Sequence, residues 1–358
     1  MLAILNQVRN YSLKETTPLS LKTIYNYGKN INKKRIIKQS QYLYEEVPIR
    51  IAKRIVNLQT LPYNLCKMKG LQSIHDDYIT TFETLLSHKY PTNLNQCLEF
   101  KTTLEELHKK HKNVEFNFAN VLKSYKNTNH QEMLLNEKTI NYQLKEFYLS
   151  RISLRLLINQ HIEVMNENIG ENNVGMIYIF NPEEVINKAI KEANRVLDQK
   201  YIDIPDINLQ IINSKKIMYI PRYLHYIIFE ILKNSMEATI NNHSSNLPPI
   251  DIICVNYNDQ LSIKISDKGG GFPKDNINQI FSFFYSTIQD HEHDPYNIKI
   301  PISGFGHGLG LSKLYANYFG GKLHVIPMQG IGTDTFIHLN SLGENSEIFL
   351  ESMADNIA

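Results

Sequence analysis

Between Gly28 and Gly170 the chain carries one glycine, Gly70. Tight turns and hairpins depend on residues that accept positive φ, and glycine is the main one. A long stretch without it is therefore built from helices joined by polar connections. Apolar residues recur there at helical spacing, as in Val47, Ile51, Ile55 and Leu58, and again in Leu149, Ile152, Leu156 and Ile158. Residues 15–168 are expected to form an antiparallel four-helix bundle. From about residue 173 the character changes, and most of the glycines follow. Strand-like alternation appears in Leu261, Ile263 and Ile265, with β-rich runs at 251–257, 322–326 and 333–340. Helical segments fall between them, near 182–199, 222–240 and 309–319. The expected fold class is α+β: a helical bundle, a boundary near 164–174, and an α/β sandwich over 169–345.

The length of 358 residues suffices for two such domains, each with its own core. Thirty-eight Lys+Arg stand against 36 Asp+Glu, a net charge of +2, which argues against a nucleic-acid binder working through a broad basic surface. Cysteines at 66, 97 and 254 are too scattered for a zinc site and too few for a disulfide scaffold, so they read as free thiols. No apolar stretch approaches the ~18 residues needed to span a bilayer. The first acidic residue is Glu15. Residues 1–14 are acid-free and amphipathic with Arg9 and Lys14, as a mitochondrial presequence would be.

Four segments of the second half place polar residues where packing alone would not. In the first, Ile227, Ile228, Ile231 and Leu232 form the apolar face of a helix, while Glu230, Lys233, Asn234 and Glu237 share another. Taken alone, that second face reads as solvated. Asn234 is a misfit inside a helix, and its carboxamide oxygen suits a hard cation such as Mg²⁺. In the second, alternation puts Asp267 at the end of the inward row Leu261, Ile263, Ile265, just before Gly269, Gly270 and Gly271. A carboxylate at that position needs hydrogen-bond partners, and the glycines admit a ligand close to the backbone. The third runs Gly304-Phe305-Gly306-His307-Gly308-Leu309-Gly310-Leu311 into a helix. It offers a phosphate cradle of exposed N–H groups, with neither Rossmann nor Walker spacing. No HRD or DFG triplet occurs. The fourth is Gly330-Ile-Gly332-Thr333, whose threonine hydroxyl opens the last strand. Residues 289–294, Gln-Asp-His-Glu-His-Asp, look like metal ligands but weigh as a solvated loop.

The order of these segments is more specific than any one of them, and it resembles the GHKL nucleotide-binding fold shared by gyrase and histidine kinases. A closer resemblance is to the mitochondrial 2-oxoacid dehydrogenase kinases, the pyruvate and branched-chain enzymes. It rests on the run Phe147–His161 (FYLSRISLRLLINQH), on Pro48-Ile-Arg50-Ile-Ala52, on Leu61-Pro62, on Phe281–Thr287 (FSFFYST), on Gly332-Thr-Asp and on Pro18-Leu-Ser-Leu-Lys22. It spans about 18 to 342.

The resemblance implies an ATP-dependent protein serine kinase. It would act in the mitochondrial matrix and inactivate the decarboxylase subunit of a dehydrogenase complex, with pyruvate dehydrogenase favoured and the branched-chain complex the alternative. Glu230 would be the general base, Lys233 would add positive charge, and Asn234 would hold Mg²⁺. Ile231, Leu232, Ser235, Met236 and Glu237 would complete the helix wall of the ATP site. Asp267 would accept from the adenine amino group with help from Thr333, beside Gly269 and Gly271. Ser286, Thr287, Gly304, Phe305, Gly306, His307, Gly308 and Leu309 would form the lid and the phosphate contacts. The helical domain would dock on a lipoyl domain, and the chain would be a homodimer. His161 would be a structural histidine rather than a phosphoacceptor. Three departures bear on rate: Tyr226 where pyruvate dehydrogenase kinases carry His, Gly310 where the family has Pro, and Glu237 where it has Arg. They keep open a nucleotide-binding regulatory protein without transfer activity. The short tail, 346–358, and the lack of tryptophan are expected to weaken tail-mediated contacts between subunits.

Overall fold

The computed structural model describes residues 2–29, 31–213, 215–257, 259–284 and 307–341. The first part is helical: α1 (Leu2–Ser12), α2 (Leu21–Lys29), α3 (Lys33–Gln59), α4 (Tyr63–Cys66), α5 (Lys69–Ser87), α6 (Leu94–Lys110), α7 (Val114–Thr128) and α8 (His130–Met165). Asparagines start two of them. Asn32 accepts from the Arg35 N–H at 3.0 Å and Asn93 from the Gln96 N–H at 3.0 Å, each satisfying a donor that the helix leaves free. Helices α3 and α8 form the spine; α5 and α6 pack on α3, and α7 packs on α5 and α8. The expected face of Val47, Ile51, Ile55 and Leu58 is buried in that core, as are Leu149, Ile152, Leu156 and Ile158. Residues 2–12 of the presequence-like stretch are α1. Val8 is buried, and Tyr11 sets its ring edge-on to Phe82 at 5.4 Å.

The bundle core also holds charge. Arg54 and Arg151 are each 1% exposed. Arg151 donates to Glu115 at 2.6 Å and to the His111 carbonyl at 2.8 Å, and Arg54 donates to the Tyr78 hydroxyl at 3.0 Å. Tyr78 stacks on His111 with ring centroids 4.3 Å apart. Burial pushes the Glu115 carboxyl up, but the charge and hydrogen bond of Arg151, with Arg155 and Arg54, bring it below the usual carboxylate range. His161 lies in this core too, with its Nε2 3.4 Å from the Ser40 hydroxyl, and burial pushes it down to about 4. The free thiols Cys97 and Cys254 are buried and Cys66 is partly so.

Helix α8 ends at Met165 and the second part follows: β1 (Asn173–Val174), β2 (Ile177–Phe180), α9 (Pro182–Leu197), β3 (Ile207–Ile212), β4 (Ile217–Tyr219), α10 (Pro221–Asn242), β5 (Ile250–Tyr257), β6 (Gln260–Asp267), a 3₁₀ segment Lys274–Phe281, α11 (Gly308–Asn317), β7 (Lys322–Met328) and β8 (Gly332–Asn340). Strands β1, β2 and β4 make a small antiparallel sheet. The main sheet has the order β3-β5-β6-β8-β7, with β3 parallel to β5 and the remaining pairs antiparallel. Its inner face is a period-two row of buried side chains, and α10 and α11 pack across it with α9 against α10. Helix α10 begins at Pro221, whose missing N–H is harmless in a first turn. It is buried on nearly every side, Phe229 and Met236 included. It therefore has no broad solvated face, and this sets the chemistry of its polar residues.

Candidate functional site

Helix α10 carries Glu230 and Lys233 into the interior, where they are 2% and 4% exposed. Their separation of one turn lets Lys233 Nζ donate to Glu230 Oε2 at 2.6 Å. Burial pushes the Glu230 carboxyl above the usual carboxylate range; Lys233 pulls it back in part, and the Glu237 charge adds to the rise. Asn234, next along, is exposed. Glu237 pairs with Lys200 at 3.0 Å. Ile231, Leu232 and Met236 point into the core and offer no polar group. Solvated charges on one helix face were the plain expectation from periodicity, and α10 differs because α9, α11 and the sheet enclose it.

Asp267 ends the buried row of β6, at the inward parity expected of it. Its Oδ1 accepts from the Gly269 N–H at 2.9 Å and the Thr333 N–H at 3.1 Å, and the Ser235 hydroxyl also bonds to the carboxylate. Burial still leaves this carboxyl above its ordinary value, because the three donors offset desolvation only in part. Thr333 stands directly opposite Asp267 in the β6–β8 ladder. The turn after β6 is stitched to the β7–β8 hairpin: the Gly330 N–H donates to the Gly270 carbonyl at 2.7 Å. Gly271 has φ +58°, and a Cβ there would run into the carbonyls of Met328 and Gly332. At Gly269 a Cβ would strike Ala238 of α10, 2.6 Å from its Cβ.

Gly308 opens α11, and a side chain on it would overlap the Glu230 carboxylate, whose Cδ lies 2.9 Å from the Cβ position. Helix α11 has no side-chain cap, so its first N–H groups are not satisfied by a side chain at the N-cap. Leu309 is half-buried beside it. Four sequence segments thus converge on one place, joined by Glu230–Gly308, Ser235–Asp267 and Asp267–Thr333. Ser286, Thr287, Gly304, Phe305 and Gly306 lie outside the described residues, as does the 289–294 cluster.

This donor set fits a nucleotide. It combines close backbone approach at the glycines, an uncapped helix N-terminus suited to phosphate, and a buried carboxylate able to accept from an amine. Asn234, exposed and carrying a hard oxygen, fits a divalent cation bound alongside.

Residues 220–342 match the model of the histidine kinase-, DNA gyrase B- and HSP90-like ATPases. Residues 18–178 match that of mitochondrial branched-chain alpha-ketoacid dehydrogenase kinase. Over 357 residues the chain is 32% identical to the mitochondrial pyruvate dehydrogenase (acetyl-transferring) kinase of Arabidopsis thaliana, covering 96% of each. The chain belongs to the mitochondrial pyruvate dehydrogenase kinase family. This kinase is also 32% identical over 355 residues to isozyme 4 of Homo sapiens, covering 95% of this chain and 85% of that one. To isozyme 1 of Mus musculus the identity is 30% over 360 residues, 96% and 82% covered. It is a protein kinase with an ATP-binding domain of the GHKL type.

Two features near the site were not expected. His307 is buried at 1% exposure, with its Nδ1 3.1 Å from the Tyr148 hydroxyl of α8. Phe281–Phe284 is held by α7 and α8: Asn141 donates to the Ser282 hydroxyl at 2.9 Å, and Lys126 to the Phe284 carbonyl at 3.2 Å. Tyr148 sits in the quoted FYLSRIS run of the kinase, but nothing in its spacing pairs it with a residue 159 positions on.

Proposed function

We propose that this kinase phosphorylates a serine of the decarboxylase subunit of the pyruvate dehydrogenase complex and so inactivates it, in the mitochondrial matrix. The observation that carries the reading is Glu230, a buried carboxylate made more basic by burial, held by Lys233 and pressed by Gly308 at the mouth of an uncapped helix. The near full-length likeness to named pyruvate dehydrogenase kinases supports the choice of substrate class.

ATP supplies the phosphoryl group. Glu230 accepts the serine proton as the serine oxygen bonds to the γ-phosphorus and the bond from that phosphorus to the ADP oxygen breaks; the bonding pair leaves with ADP. Lys233 keeps the carboxylate ionised and adds positive charge beside the phosphates. Asn234 holds Mg²⁺. Asp267, fixed by Ser235, Gly269 and Thr333, receives the adenine amino group. Gly269, Gly271 and Gly308 let backbone approach the nucleotide, and Leu309 lines it. The helical domain docks on a lipoyl domain, and two copies of the chain associate through the nucleotide domain. Residues 1–14 serve import; those of α1, Leu2–Ser12, also pack on α3, so their removal would strip Val8 and Tyr11 from the bundle.

The test presents purified pyruvate and branched-chain complexes in turn with labelled ATP. Acid-stable phosphoserine on the pyruvate decarboxylase, with loss of its activity, is the expected result. The branched-chain complex is the second substrate to try, because residues 18–178 match the branched-chain kinase model. Absence of transfer to either complex would sink the proposal.

A further inference from the structure

The bundle and the nucleotide domain meet at the two chain positions that flank residues 285–306. On the entry side, the Asn141 carboxamide donates to the Ser282 hydroxyl at 2.9 Å and accepts from the Phe283 N–H at 2.9 Å. Ser282 in turn donates to Glu137 at 3.1 Å. On the exit side is His307, the residue before Gly308. Its ring lies against Phe283, centroids 5.4 Å apart, and Phe283 lies against Tyr148 at 4.9 Å. Three rings therefore close one joint between α8 and the start of α11.

The charge state of that joint follows from burial. Burial pushes His307 down to about 4, so the ring is neutral near pH 7 and carries one N–H. The Phe283 backbone bonds to the ring and offsets part of that fall. The Nδ1 atom and the Tyr148 hydroxyl lie 3.1 Å apart, and the tautomer of the ring sets which of the two donates. Although it stands at the N-cap position of α11, His307 does not cap that helix with its side chain. Its hydrogen bonds run across the joint and leave the first turn of α11 free to meet a phosphate.

We propose that Tyr148 and His307 are positioning residues: their hydrogen bond ties helix α8 of the bundle to the first turn of α11 and sets Gly308 against Glu230. A shift of the first turn by a fraction of an ångström changes both the N–H donors offered to the nucleotide and the space beside the base. The inference rests on the reading of this surface as the ATP site. It adds that a residue of the helical domain helps set nucleotide affinity without touching nucleotide.

Tyr148→Phe removes one hydroxyl and keeps the ring packing. In the full-length chain it should weaken ATP binding about fivefold, the equivalent of about 1 kcal/mol for one buried hydrogen bond, and raise KM for ATP in step. His307→Phe keeps a ring but removes both nitrogens, and in its background Tyr148→Phe should have no further effect. ATP affinity of Tyr148→Phe within about twofold of wild type, or a lowered melting temperature with affinity intact, would overturn the proposal. So would multiplicative effects of the two changes. If His307→Phe does not fold, the Tyr148→Phe affinity alone decides. A wild-type chain that binds ATP but phosphorylates neither complex would refute the substrate reading while leaving this measurement valid.

Discussion

Two carboxylates are taken out of water in the two halves of this molecule, and their proton affinities move in opposite directions. Glu115 in the bundle meets the Arg151 guanidinium at 2.6 Å, with Arg155 and Arg54 behind it, and falls below the usual range. Glu230 in the nucleotide domain meets one ammonium at 2.6 Å and has the Glu237 charge nearby, and it rises. Desolvation acts the same way on both; the number of facing cations decides which effect wins. A carboxylate saturated by guanidinium groups is a structural part that gives up its basicity. A carboxylate that keeps one cation partner and has a glycine packed against it retains more of its basicity.

The largest effect expected from that contrast is on catalysis. Glu230→Gln should lower transfer by about 10²–10⁴-fold, the range for removal of a general base, while ATP affinity stays close to wild type. Single-turnover transfer together with a nucleotide titration reads both, and transfer at the wild-type rate would break the distinction between the two carboxylates. Glu115→Gln should do the reverse. It leaves Arg151 in the interior with its charge uncompensated, so urea unfolding should show a loss of about 3 kcal/mol. An unchanged midpoint would mean that the bundle pair is not structural.

Acid sharpens the comparison further. His161 in the bundle and His307 at the joint both fall to about 4 from an ordinary value of 6.5. The unfolded chain takes up these protons first, so stability is present above about pH 6.5 and is lost as pH falls toward 4. Each histidine contributes up to about 3 kcal/mol of that loss. Thermal melts between these limits should flatten when His161 is replaced by Gln. Glu230 has the opposite sign, since a raised carboxyl costs stability as pH rises through its folded value. In activity, the acid limb of kcat/KM should lie above the ordinary carboxylate range and move higher in Lys233→Met, which removes the charge that lowers Glu230. The smallest effect is at Gly330, φ +80°, where nothing lies within 4 Å of an added Cβ. Gly330→Ala should cost about 1 kcal/mol, through backbone strain alone, with ATP affinity unchanged.

Part of this candidate site is legible in strand parity and in the placing of glycines. Asp267 was legible because a strand has a fixed parity and the carboxylate falls on the buried side of it. The glycines were legible because few other residues follow such turns. The interior position of Glu230 and Lys233 was not, since helical spacing defines faces without saying which neighbours cover them. Arg54 and Arg151 were hidden in the same way: each sits within an apolar helical row, and that interruption was the available signal of a buried charge. Strands β3 and β4 and the small sheet escaped because they are short, and β3 alternates between half-buried and exposed side chains. The Tyr148–His307 contact joins residues 159 apart and has no local signature.

The pairing of Asp267 with Thr333 makes chain length around the site a strict quantity on one side and a loose one on the other. One residue inserted between 260 and 266, or between 334 and 340, would turn Asp267 or Thr333 to the opposite face while the ladder re-forms around it. An insertion at Gly330 in the hairpin disturbs the contact with Gly270 but leaves the register of Asp267 and Thr333 unchanged. A scan of single insertions should therefore find folded chains that have lost nucleotide binding when the strands are lengthened, and binding chains when the hairpin tip is.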